Sequence, residues 1–105
     1  MAEQTTRTGI LASTHQVTCI EKGDGHNPYE RVRSIGGVNY DETRWKLSQQ
    51  EAIAGIENDQ WSFYVQTDNA LVWLIVATSA QGYQYLKTKN DGEQPDTLLS
   101  LPECP

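Results

Sequence analysis

The 105-residue chain has few of the residues that announce chemistry. It holds two cysteines, Cys19 and Cys104, and two histidines, His15 and His26. No Cys-x2-Cys pair or comparable ligand spacing occurs, so a zinc site has no signature. On an extended strand His15 and Cys19 stand about 13 Å apart, too far to share one ion without a bulge. The loop Gly23–Asn27 lacks the acidic spacing and closing glutamate of a calcium loop. There is no phosphate-binding glycine motif and no nucleophile elbow. The sequence therefore gives no ground to expect a metal or a cofactor. Long apolar runs are also missing. The longest, ALVWLIVA at 70–77, is far short of the roughly 20 residues a bilayer span needs. The opening MAEQTTRTGILAST has no apolar signal-peptide core, and no Asn-x-Ser/Thr sequon occurs. These features lead us to expect a soluble cytoplasmic protein without a membrane partner.

Basic charge is scarce in the second half. Residues 1–50 balance six basic against six acidic side chains, whereas residues 51–105 set Lys87 and Lys89 against eight acids, which accounts for the net charge of −6. An acidic chain is poorly suited to nucleic acid, where phosphate contacts supply most of the affinity. One local exception is the group Arg31, Arg33, Arg44 and Lys46. A chain of this length folds as one domain and buries roughly 65% of its unfolded surface, enough for a modest core.

The polar, aperiodic residues 1–13 are expected to be disordered or frayed, leaving one domain over 14–105. THQVTCIEK (14–22) is rich in β-branched residues and predicts a first strand. GDGHNP is a loop. YERVRSI (29–35) alternates as a second strand, stopping at Gly36-Gly37, with an irregular loop through Tyr40 and Trp45. Ser48 and Glu51 form a capping box that opens a helix running to Asn58-Asp59, with Ala52, Ile53 and Ile56 as its apolar stripe. Gly55 inside that helix implies a close approach to a sheet. Strands follow at 61–66, 71–78 and 83–88, with Asp68-Asn69 and Ala80–Gly82 as turns. The expected fold is α+β: a ββαβββ domain with a five-stranded, largely antiparallel sheet and one helix packed on it. Leu98, Leu99 and Leu101 should tuck beside the helix or under the sheet edge, and Pro95-Asp96 suits a turn or short-helix start.

The tail YLKTKNDGEQPDTLLSLPEC, with VTCIEK, IGG, W…LS…EAI…IE and FYV before it, resembles a family of small bacterial proteins catalogued only as a domain of unknown function. The resemblance runs from about Val17 to Cys104. It implies no activity, cofactor or catalytic residue. It does imply that Cys19, Gly36, Gly37, Trp45, Tyr85, Leu86, Lys87, Thr88, Asp91, Leu99, Pro102 and Cys104 are signature positions.

Three groups stand out as candidate binding positions. In the first, Lys87 can meet an anionic ligand beside Tyr85, with Thr88 and Asp91 adding hydrogen bonds; the structural alternative is a strand end whose Asp91 organises a turn. The second is an Arg/aromatic surface of Arg31, Arg33, Arg44 and Trp45, in which the first two, two residues apart, would share a sheet face. Arginine on aromatics suits phosphate or protein recognition, and equally a solvated sheet face. The third is the thiol pair. Two free thiols are the default for Cys19 and Cys104 in a reducing compartment, and a disulfide or redox pair is the alternative if the tail folds back beside strand one.

With no catalytic dyad in view, the leading expectation is a non-enzymatic binding or interaction module for a protein or a small anionic ligand. The rivals are a thiol-dependent or redox enzyme using Cys19 and Cys104, nucleic-acid binding through the arginines, and an acidic nucleic-acid mimic. An exposed sheet edge or aromatic face leaves monomer and homodimer both open.

Overall fold

The computed structural model describes residues 13–105. The elements in chain order are β1 (Ser13–Gln16), β2 (Cys19–Lys22), α1 (Pro28–Arg31), β3 (Val32–Val38), β4 (Arg44–Ser48), α2 (Gln49–Glu57), β5 (Trp61–Gln66), β6 (Leu71–Thr78), β7 (Gln84–Thr88) and α3 (Asp96–Leu99). Among the described residues they make two sheets, one ordered β1-β5-β6-β7 and the other β2-β3-β4. Every pairing is antiparallel except that of β1 with β5.

The fold is α+β, but the expected single five-stranded sheet with one helix is corrected to seven strands in two sheets with three short helices. The first difference lies at Val17-Thr18. Val17 N–H donates to Tyr64 O in one sheet (2.8 Å), and Thr18 N–H donates to Gly36 O in the other (2.9 Å). The run 14–22 is therefore two strands, each belonging to its own sheet. The second lies at 28–31. Pro28 sits at the start of a helical turn, and both Asn27 nitrogens donate to Glu30 Oε1 (3.4 and 3.0 Å), so Tyr29–Arg31 coil before β3 begins. The third is Gly36-Gly37, which does not stop the strand. A Cβ on Gly36 would stand 2.9 Å from the sulfurs of both cysteines and from Trp45 O. The strand continues because glycine leaves room there. The stretch read as an irregular loop contains β4, which pairs Leu47 with Ile35. Of the residues expected to be frayed, 1–12 lie outside the described residues, and Ser13 opens β1.

Helix α2 forms as the sequence indicates. Glu51 N–H donates to Ser48 Oγ (3.1 Å) and Ser48 N–H to Glu51 Oε1 (2.9 Å). Asp59, with φ 59°, turns the chain out at the far end. The close approach expected at Gly55 is to the Trp61 indole, which occupies the space a Cβ would need. Ile20, Ile35, Ala52, Leu86 and Leu98 are wholly buried, and Phe63 nearly so. They join both sheets, α2 and α3 into one core, each large side chain contributing roughly 1.5–3 kcal/mol.

The edge of β7 is closed by side chains. Gln49, almost fully buried, accepts from Leu86 N–H (3.0 Å) and donates to Tyr29 O (2.9 Å). Asp91 Oδ2 accepts from Thr88 N–H (3.1 Å). The tail lies along β2. Ile20 N–H donates to Pro102 O (3.0 Å), and Cys104 N–H donates to Ile20 O (2.9 Å).

Candidate functional site

The first candidate group is spent on the protein's own backbone and side chains. Tyr85 Oη donates to Glu93 O (2.7 Å) and Lys87 Nζ to Gly92 O (2.9 Å). Arg31 Nη1 donates to Gln94 Oε1 (3.1 Å). Asp91 Oδ1 accepts from Thr97 N–H (3.2 Å) and Thr97 Oγ1 (2.7 Å), while Oδ2 holds Thr88. Thr88 is fully buried. Four successive residues, 91 to 94, are thus each fastened by a side chain from elsewhere or fasten the start of α3 themselves. Burial, and after it the charge of Glu93, pushes the Tyr85 phenol above its ordinary range. The structure brings Arg31, Tyr85, Lys87, Thr88 and Asp91 to one loop.

It does not assemble the four-residue Arg/aromatic surface. Arg31 lies in the helical turn α1 and Arg33 on β3, so the shared sheet face expected for them is corrected. Arg33 lies beside Asp24 at 4.0 Å, both exposed. Arg44 pairs with Val38 at the other end of β3. Five residues of strand separate the two positions, about 17 Å at the usual rise. Trp45 turns inward, packing against His15 and Phe63 with ring centroids 5.7 and 5.6 Å apart.

The two sulfurs are joined. Cys19 and Cys104 form a disulfide, with Cα atoms 4.9 Å apart and a sequence separation of 85. The default of two free thiols does not describe this structure, because the tail folds back along β2 and delivers Cys104 to Cys19 above Gly36.

Another candidate lies elsewhere. A groove of about 680 Å³ runs beside β1, lined by Ser13–Gln16, by Val38–Asp41 at the tip of the β3–β4 hairpin, and by Tyr64. Among the described residues β1 has a partner on one edge only. Ser13 and Val17 send their N–H groups to β5, so strand alternation turns the backbone of Thr14 and the N–H of Gln16 toward the other edge. Tyr40, fully exposed, and Tyr64 stand on the groove's walls. Tyr64 continues onto the outer face of the four-stranded sheet, edge-to-face with Trp73 at 5.8 Å. Leu71 and Trp73 are exposed beside it. Asp41 stands at the hairpin tip. The Thr43 hydroxyl donates to it at 2.6 Å and the Thr43 N–H at 3.1 Å, and these bonds hold its carboxyl below the usual carboxylate range.

The sequence left Tyr64 and Gln49 unmarked. Tyr64 alternates with Phe63 and Val65, a signal that it faces away from the core. Nothing local marks Gln49, whose partners Tyr29 and Leu86 are distant in sequence. Among the described residues no three His, Cys, Asp or Glu side chains come together as metal ligands do. No helix among them is long and apolar enough to cross a membrane.

Comparison with known proteins gives a family and no activity. No curated protein and no solved structure matches the chain. A family model described as a protein of unknown function, DUF3892, matches residues 16–102. That match covers β2 to β7, all three helices and the tail as far as Pro102, so the chain belongs to the DUF3892 family, whose function is unknown.

Proposed function

We propose that the protein is a non-enzymatic binding module that accepts an extended segment of a partner protein along the edge of β1 that has no partner among the described residues. The observation that carries this reading is the groove itself. It places a strand edge with unpaired main-chain groups, among the described residues, between two tyrosines. A sheet edge takes an added strand through main-chain hydrogen bonds, and flanking pockets read alternate side chains. Tyrosine walls suit that task because a large rigid ring gives contact area at low entropic cost.

The partner's chemistry follows from the lining. The carboxylate in the groove is Asp41, held ionised, which favours a segment with a lysine or arginine near the hairpin tip and disfavours a small anion. The Arg33–Arg44 separation weighs against nucleic acid, and the sulfur–sulfur bond leaves neither cysteine as a nucleophile while it stands.

The test is selection from a display library of random ten-residue peptides, followed by calorimetric titration of the selected peptide. Tyr40→Ala should weaken binding about tenfold, as loss of an exposed aromatic anchor does. Lys87→Ala and Arg33→Ala should leave binding unchanged. Failure to select any peptide, or binding that depends on Lys87 and Arg33 instead, would sink the reading.

A further inference from the structure

We propose that the Cys19–Cys104 disulfide is a redox-operated latch on the C-terminal strap, opened by a dithiol reductant while the rest of the domain stays folded. This rests on different residues from the β1 groove and stands independently of it.

The strap begins at a sharp boundary. Leu98 is wholly buried, and Leu99 and Leu101 pack against the core, so the chain is anchored up to Leu101. Beyond it, Pro102, Glu103 and Pro105 are exposed and Cys104 is half-buried. Apart from the sulfur bridge, the strap is held by two backbone bonds to Ile20 and by Glu103 accepting from Lys22 N–H at 3.3 Å. Pro102 has no N–H, so it adds no donor to this ladder. The disulfide is therefore the main fastening of the last four residues. It fastens them over the outer edge of β2, which the strap pairs in parallel at Ile20 and Glu103.

The sulfurs are unequally placed. Cys19 is 8% exposed, whereas Cys104 is more open. A dithiol's thiolate attacks Cys104 Sγ and forms a mixed disulfide, and Cys19 leaves as a thiolate that takes up a proton. The dithiol's second thiolate then closes its own disulfide and releases Cys104, which is protonated in turn. Two electrons and two protons pass to the protein, and the dithiol is oxidised. In the cytoplasmic setting expected from the sequence, persistent disulfides are rare and those that occur are commonly redox-responsive. Opening the latch uncovers the N–H and C=O of Ile20, a second strand edge that the oxidised protein keeps covered.

The experiment treats the oxidised protein with thioredoxin, its reductase and NADPH, and follows amide hydrogen exchange and thiol count together. The latch predicts two thiols per chain, with exchange at Ile20 and Cys104 at least tenfold faster and Phe63, Val65 and Leu86 still protected. Cys104→Ser should reproduce that pattern without reductant. Three results would each overturn the proposal: thiols that appear only when denaturant is added, exchange at Ile20 unchanged after reduction, or loss of protection throughout the core. Because the wild-type protein is titrated directly, a variant that fails to fold does not rescue the idea.

Discussion

At the scale of single residues, side chains that looked available for a ligand prove to be engaged with the chain's own backbone and side chains. Asp91 satisfies three donors, the N–H groups of Thr88 and Thr97 and the Thr97 hydroxyl. Asp91→Ala leaves them without that acceptor. It should lower the unfolding free energy by about 1–3 kcal/mol, read as a fall in urea midpoint at unchanged m-value. Gln49→Ala strands the buried Leu86 N–H and should cost a similar amount, about 1–3 kcal/mol in the same assay. Asp91 was legible in sequence because Asn-Asp-Gly is a turn signal and an aspartate there bonds nearby backbone. Gln49 was not, since its role exists only once α1 and β7 lie side by side. Two titrations carry a sign. The Asp41 carboxyl is depressed, so the small stabilisation from Thr43 is present above the ordinary carboxylate range. It is lost as pH falls through the folded-state value. A carbon-13 titration should show Asp41 ionising below a free aspartate, with Thr43→Ala moving it up. The Tyr85 phenol is raised, so its contribution is full below about pH 10 and is lost as pH climbs through the folded-state value. Tyr85→Phe should abolish that alkaline loss, and an alkaline limb unchanged in the variant would mean another group causes it.

At the scale of elements, α2 and β5–β7 could be drawn from the sequence nearly as they stand, and the front half could not. Capping by Ser48 and Glu51, and alternation in WSFYVQ, are local signals that tertiary contacts reinforce. The break at Val17-Thr18 is set by which sheet accepts each N–H, and no sequence window contains Tyr64 and Gly36 together. Gly36 is the instructive case. Read locally, paired glycines end a strand; in the fold, Gly36 lies mid-strand under the disulfide because any side chain would strike both sulfurs. Gly36→Ala should therefore destabilise the oxidised protein by about 1–3 kcal/mol, the usual cost of overpacking. The penalty should shrink once the disulfide is reduced, since one sulfur is then free to move away. Equal penalties in both redox states would show that the crowding comes from Trp45 O and not from the sulfurs.

For the whole molecule, two sheets meet along one core, and the chain uses its last residues to hold the second sheet's edge. A bond closing an 85-residue separation is worth up to about 4.5 kcal/mol in the chain-entropy description. The aromatic groove beside β1 is not where charge in the sequence pointed. The arginines are dispersed or committed, and the Lys87 loop is fastened at every step. The aromatic groove beside β1 depends on β1 standing at a sheet edge among the described residues and on the β3–β4 hairpin reaching over to it, neither of which a local pattern reveals. The central claim is that this edge accepts a strand. Hydrogen exchange on the protein with and without a display-selected peptide tests it most directly. The account predicts that binding slows exchange at the Thr14 and Gln16 amides at least tenfold and leaves residues 89–95 and Arg33 unchanged. Protection confined to residues 89–95 or to the Arg33 and Arg44 ends of β3 and β4, with Thr14 and Gln16 exchanging as before, would contradict it.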